Sequence, residues 1–213
     1  MIRAVFFDVG GTILDETREF ATWADWLGVP RHTFSAVFGA VIARGLDYQE
    51  VFRAFRPDFD LTAELARRVA AGDPESFGAE DLYPDARACL AALREQGLRV
   101  GLAGNQPEHA EATLRALDLP VDVIGTSAAW GVAKPAPEFF AAVVAAAGLP
   151  AARIVHVGDS PEYDVAAAQR AGLRAVWLNR AGLPRPRGLE PDGEVSTLAE
   201  LPTTLITVMS ANA

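Results

Sequence analysis

The apolar residues of this chain fall into two alternating rhythms. Residues 2–7 form a short run, apolar but for Arg3 and rich in branched and aromatic side chains, closed by Asp8-Val9-Gly10-Gly11-Thr12. A run of that length stopping at a glycine-rich stretch predicts a buried strand followed by a loop. The figure recurs at residues 98–103 before Gly104-Asn105, at 121–124 before Gly125, at 154–157 before Gly158-Asp159, and at 175–178 before Asn179. Between these runs, apolar positions return every three or four residues, the period of a helix face. Such segments cover residues 85–96, closed by Gly97, then 108–117, 138–147 and 162–171. Strands apolar on both faces and joined by helical crossovers predict an α/β class. The expected core is a Rossmann-like parallel sheet of about five strands with helices on both faces, its polar loops gathered at the carboxyl ends of the strands.

One stretch breaks the rhythm. From residue 14 to 82 no strand pattern occurs, and helical stretches at 20–27, 34–43 and 61–71 follow one another. This predicts an all-α insertion, residues 15–83, within a core made of residues 1–14 and 84–213. The insertion leaves after the first loop, returns at Tyr83-Pro84-Asp85, and is expected to act as a cover for the strand ends. Trp23, Trp26, Phe52, Phe55 and Phe59 stand at helical spacing and read as the core of that bundle. Residues 180–193, rich in Pro, Gly and Arg, read as an exposed loop, and 196–205 as a final helix.

Composition narrows the class of partner. Half of the 213 residues are hydrophobic and 22% are charged, as in ordinary globular proteins. There is no apolar run of 18 residues and no signal-peptide pattern at the start, so a cytoplasmic protein without membrane association is expected. The single cysteine, Cys89, has no internal disulfide partner and sits where a small buried helix residue belongs. A net charge of −9 opposes a generic nucleic-acid partner, because binding a phosphate backbone needs a basic surface. A monomer or homodimer is expected.

Lys134 is the only lysine among 19 Lys and Arg residues. Lysine offers a compact rotatable ammonium where arginine offers a broad planar fork, so one lysine kept amid arginines suggests a point charge reaching into a tight site. Its setting, Gly131-Val132-Ala133-Lys134-Pro135, places it before a proline suited to the first turn of a helix. Asp8, Lys134, Asp159 and Asp164 all lie in loops that a parallel sheet brings to one end. Three carboxylates converging there would repel one another unless a cation sat between them, and oxygen ligands suit Mg²⁺. A carboxylate nucleophile, a hard metal and an ammonium are the parts needed to attack a phosphoryl group. His156, inside the fourth strand, reads as a hydrogen-bonded structural residue, and His109 as a solvated one. Trp130 reads as a candidate for the mouth of the site or for packing against the insertion. Gly104-Asn105 can present backbone N–H groups and a side-chain amide to an anion.

On these residues the chain resembles the haloacid dehalogenase superfamily of hydrolases, in particular members with a helical cap inserted after the first motif. Phe6-Phe7-Asp8-Val9-Gly10-Gly11-Thr12 is similar to the nucleophile motif. Gly131-Val132-Ala133-Lys134-Pro135-Ala136-Pro137 is similar to the lysine motif, and His156-Val157-Gly158-Asp159-Ser160 with Asp164 to the acidic one. The resemblance implies an aspartyl-phosphate at Asp8 and Mg²⁺ held by Asp8, the Gly10 carbonyl and Asp159, with Asp164 supporting the metal or Lys134. It implies that Gly11, Thr12, Gly104, Asn105 and Lys134 contact the phosphoryl group of a small phosphorylated molecule.

Two positions depart from the pattern. The family's phosphatases carry an acid/base aspartate where this chain has Gly10, and a Ser or Thr hydroxyl where it has Gly104. Loss of such an acid/base removes on the order of 10²- to 10⁴-fold in rate, which points to atypical or weak activity. Acyl phosphates, whose leaving group needs no proton, tolerate Gly10, and Asp15, Glu16 and His32 are positional candidates for a substitute acid. The phosphonate-cleaving branch needs a lysine in the cap, and none is present there. The dehalogenase branch uses no metal and has an aromatic residue at the position of Gly10. The alternative to a hydrolase is a catalytically impaired relative that binds a phosphorylated ligand or partner in a regulatory role.

Overall fold

All four side chains of the first strand, β1 (Ala4–Phe7), are fully buried, as expected for a run apolar on both sides of the pleat. The structure is a computed structural model that describes residues 1–210, with side chains to residue 206. β1 pairs in parallel with β2 (Arg99–Gly104) on one side and β4 (Ile154–Gly158) on the other. β3 (Val123–Thr126) lies beyond β2, and β5 (Arg174–Leu178) and β6 (Gly193–Val195) continue outward from β4. The order is β3-β2-β1-β4-β5-β6, all parallel. The chain builds outward from β1 to β3 and then returns to place β4 against β1. That reversal leaves a crevice beyond the carboxyl ends of β1 and β4, the usual ligand position in open α/β sheets.

The described residues divide into two compact units, one formed by residues 1–15 with those from Leu82 onward, the other by Glu16–Asp81. In the first, Ala4, Phe6, Ala103, Ile154, Ala175 and Trp177 form one buried face with Phe139, Phe140 and Val143 of α8 (Pro137–Ala147) and with α9 (Ala167–Arg170). Elsewhere on the sheet, α5 (Ala86–Glu95) packs on β2 and against α10 (Leu201–Ser210). Cys89 of α5 is buried, and burial with the neighbouring Asp85 charge pushes its thiol up to about 12, so it is unreactive. α6 (Ala110–Ala116) and α7 (Ser127–Trp130) flank β3. The outgoing and returning linkers pair within this unit, through a bridge from Leu14 to Leu82 and a bond from Tyr83 N to Ile13 O (3.0 Å).

The second unit is helical: α1 (Thr17–Leu27), α2 (Arg31–Ala43), α3 (Glu50–Phe55) and α4 (Leu61–Ala70). Its core contains Phe20, Trp23, Phe34, Phe52 and Phe59, with Trp26 and Phe55 partly buried against it. Phe52 stacks on Phe59 at 4.5 Å, and Trp23 meets Phe52 edge-on at 5.0 Å.

Four expectations change. The sheet has six strands: β6 lies at the end of the stretch read as a loop, and with Val195 its only buried residue it lacks the apolar run that marks the others. The proline at the start of α8 is Pro137, because Ala136 is the N-cap, and Pro135 lies in the preceding turn. Residues 162–171 are not one α-helix but a π-helix, Pro161–Ala166, running into α9. The final segment is a 3₁₀ turn, Leu198–Glu200, followed by α10. Among the described residues no helix is long and apolar enough to cross a membrane.

Candidate active site

Asp8 follows β1 directly, and its backbone N–H donates to Val157 O (2.8 Å), tying the loop to the end of β4. The residue is 8% exposed. Lys134 reaches it from the loop between α7 and α8. Thr126 Oγ1 caps α7 by accepting from Ala129 N (3.1 Å), and Gly131 ends the helix with φ 67°. Asn105 then clamps the Lys134 main chain: its Oδ1 accepts from Lys134 N (2.7 Å) and its Nδ2 donates to Lys134 O (3.0 Å). From this fixed backbone the buried ammonium donates to Asp8 Oδ1 (2.5 Å) and Asp164 Oδ1 (2.6 Å).

Asp164 enters from the π-helix, where Val165 N donates to Ser160 O (3.2 Å), five residues back. Its carboxyl lies over Gly158, where an added Cβ would come within 2.2 Å of Asp164 Cγ, so glycine is required at that strand end. Ser160 N donates to Asp164 Oδ2 (3.0 Å), and His156 Nε2 lies 2.9 Å from Oδ1. Asp159 is anchored through its carbonyl, which accepts from Trp177 Nε1 (2.9 Å).

Ligand atoms of Asp8, Asp159 and Asp164 all lie within 4.8 Å of one another. Burial pushes the Asp8 carboxyl up, and the Lys134 ammonium only partly offsets that and the negative Asp164 beside it. Burial also acts on Asp164, but Lys134 and the hydrogen bond from His156 outweigh it and hold that carboxyl below the usual range. Burial opposes the charge on Lys134, yet Asp164 and Asp8 keep the ammonium protonated well above its ordinary range. Three carboxylates facing one ammonium, with Asp8 incompletely compensated, are a donor set suited to a divalent cation with oxygen ligands. Asp164 Oδ1 already accepts two hydrogen bonds, so only its Oδ2 has capacity left for such an ion.

Most sequence-predicted residues meet here. Asp8, Lys134, Asp159 and Asp164 converge, with Gly10, Gly11 and Thr12 in the loop after Asp8. Gly104 borders Asp8, since an added Cβ would lie 3.0 Å from Asp8 Oδ1. Asn105, expected to offer its amide to an anion, instead engages the main chain of Lys134 with both ends of that amide. Trp130 is partly buried against the core of the sheet unit and packs edge-on against Phe139 (5.1 Å). Of the substitute acids, Asp15 is partly buried in the outgoing linker, while Glu16 and His32 belong to the separate helical unit.

Arg180 went unnoticed in the sequence. Its fork grips Asp85 (2.9 and 2.9 Å) and Thr12 O (3.1 Å), and its guanidinium lies 3.9 Å from the centre of the Tyr83 ring. It therefore joins the Asp8 loop, the returning linker and the end of β5. The available signal was its place just past the end of β5, on the side of the sheet where the strands end.

The profile of the haloacid dehalogenase-like hydrolases matches residues 2–172. The chain belongs to this family. It is 36% identical over 196 residues to a phosphoglycolate phosphatase of Rhodospirillum rubrum, covering 84% of this chain and 80% of that one. It is 29% identical over 194 residues to a phosphoserine phosphatase of Thermus thermophilus, covering 85% and 77%. These relatives make it a hydrolase of the phosphatase type. An HAD hydrolase of Bacillus subtilis, solved with magnesium bound, shares the fold with a TM-score of 0.73 at 23% identity, over 96% of this chain and 98% of that one.

Proposed function

We propose that this HAD-like hydrolase is a cytoplasmic, Mg²⁺-dependent phosphatase that passes the phosphoryl group of a small phosphorylated molecule through Asp8 to water. The observation that carries the reading is the single lysine of the chain, buried with its ammonium 2.5 Å from Asp8 and 2.6 Å from Asp164 at the reversal of the sheet. An Asp8 carboxylate oxygen bonds to phosphorus while the bond from phosphorus to the leaving oxygen breaks, that oxygen keeping the electron pair. Water then attacks the phosphorus of the aspartyl-phosphate, the bond to Asp8 breaks, and inorganic phosphate leaves. Lys134 offsets the charge gathering on the phosphoryl oxygens, and backbone N–H groups at Gly11, Thr12, Gly104 and Asn105 donate to them. Asp8, the Gly10 carbonyl, Asp159 and the remaining capacity of Asp164 would hold Mg²⁺, which would draw further charge from those oxygens. The helical unit serves as the inserted cap of this reading and selects the substrate.

Gly10 sets the choice of leaving group. With no side chain there to donate a proton, acyl phosphates and other esters with weakly basic leaving groups turn over readily, and alkyl phosphates turn over roughly 10²-fold or more slower. The test is Mg²⁺-dependent phosphate release across metabolite classes, acyl phosphates included, for the native protein, Asp8→Asn and Gly10→Asp. Asp8→Asn is expected to abolish release and Gly10→Asp to raise turnover of alkyl esters. Release that survives Asp8→Asn overturns the proposal, as does stabilisation by phosphorylated ligands with no product formed.

A further inference from the structure

We infer that His156 is a positioning residue for Lys134, acting through Asp164. The role rests on the hydrolase reading for its effect on turnover, but the geometry stands by itself. His156 is in the middle of β4, opposite Phe6 on β1 and Ala175 on β5, and fully buried. Its Nε2 is 2.9 Å from Asp164 Oδ1. Asp164 is ionised beside Lys134 and can only accept, so Nε2 carries the hydrogen and donates. Nδ1, the other ring nitrogen, is buried without a hydrogen-bond partner.

That orphan atom distinguishes a role in the site from a role in the core. A strand position between Val155 and Val157 is filled most stably by an aliphatic side chain. An imidazole there desolvates a ring nitrogen with nothing to replace its water, which is unfavourable. The bond it makes in return goes to the carboxylate that orients the lysine. Ser160 N holds Asp164 Oδ2, while His156 and Lys134 approach Oδ1. With donors on both oxygens, the carboxylate cannot turn about its Cβ–Cγ bond, and the ammonium it receives stays directed at Asp8. Without the imidazole, Asp164 keeps its charge and one donor on each oxygen, but Oδ1 loses the second donor that fixes its position, so the ammonium it receives is less sharply directed at Asp8. Phe140 packs edge-on to the imidazole at 5.3 Å and keeps the ring plane in place.

Because Lys134 is the only lysine, protein labelled with ¹⁵N at the lysine side chain gives one ammonium resonance, which reports the ion pair directly. The experiment compares the native chain with His156→Met, which fills the space without a donor, and His156→Gln, whose amide nitrogen can reach the place of Nε2. His156→Met is expected to shift or exchange-broaden the resonance and to lower kcat roughly tenfold or more while KM stays within about twofold. His156→Gln is expected to recover most of both losses. The proposal is overturned if His156→Met leaves resonance and kcat unchanged. It is also overturned if Met and Gln are equally impaired, or if both losses merely follow a fall in melting temperature. If none of the three proteins releases phosphate, the hydrolase reading fails and the resonance alone decides the role of His156.

Discussion

At Gly11 the backbone takes a φ of +64°, and a side chain there would place its Cβ 2.5 Å from Asp159 Oδ2. The left-handed conformation and the close approach together require glycine. Gly11→Ala is expected to lose roughly 1–3 kcal/mol of stability and to weaken Mg²⁺ activation, because Asp159 must swing away. Urea unfolding with a Mg²⁺ titration of phosphate release checks this; an alanine variant with native stability and native Mg²⁺ response would refute it. Gly104 is restricted in a different way. Its Cβ would meet Asp8 Oδ1 and Val9 Cγ2 at 3.0 Å each, so any side chain there presses on the proposed nucleophile. Glycines at the strand ends were visible in the sequence as loop punctuation, but the atoms that exclude a side chain at each were not.

Between elements, coupling runs from β3 to the lysine loop. Gly125 in β3 faces the Trp130 ring of α7, and an added Cβ would lie 1.9 Å from the indole, an overlap no small adjustment relieves. Trp130 in turn packs on Phe139 of α8, so α7 is wedged between β3 and α8, and the loop it sends to α8 carries Lys134. Gly125→Ala is expected to cost about 1–3 kcal/mol by displacing the ring. In a double-mutant cycle with Trp130→Ala the two losses should fall short of adding by at least about 0.5 kcal/mol, since one removes what the other collides with. Strict additivity in denaturant unfolding would show that the ring moves freely. The π-helix belongs to the same scale. Helical periodicity over residues 162–171 was readable, but the choice of a wider first turn is tied to Asp164 reaching Lys134 and Ser160 N, contacts no local pattern contains.

Across the molecule, titration of the helical unit shapes stability. Burial, the charges of Glu75 and Glu16, and a hydrogen bond to Glu75 push Glu19 up to about 9 from an ordinary 4.5. Between those values the folded chain binds a proton that the unfolded chain does not. Stability therefore falls as pH rises through that window, and below its lower edge the penalty is absent. Glu19→Gln should match the native protein near pH 4 and exceed it near pH 9 by about 1–2 kcal/mol, a figure reduced for water and local relaxation. Unfolding midpoints measured from pH 4 to 9 test this, and a difference that does not vary with pH would refute it.

Alternating runs and three-to-four-residue spacing established the class of fold, because burial of an apolar face is recorded along the chain itself. They also marked Asp8, Lys134, Asp159 and Asp164 as residues in the segments that follow strands, and parallel strand order brings such segments to one end of the sheet. β6 escaped this reading because a three-residue edge strand buries too little to leave a pattern. Partner choice was decided only by tertiary structure. Lys134 meets Asp8 across 126 positions and Asn105 across 29, and nothing local states that an amide will grip a lysine's main chain. The same holds for His156 on Asp164 and Arg180 on Thr12. A residue's polarity is carried by the residue, whereas the atom that satisfies it exists only once distant segments have packed together.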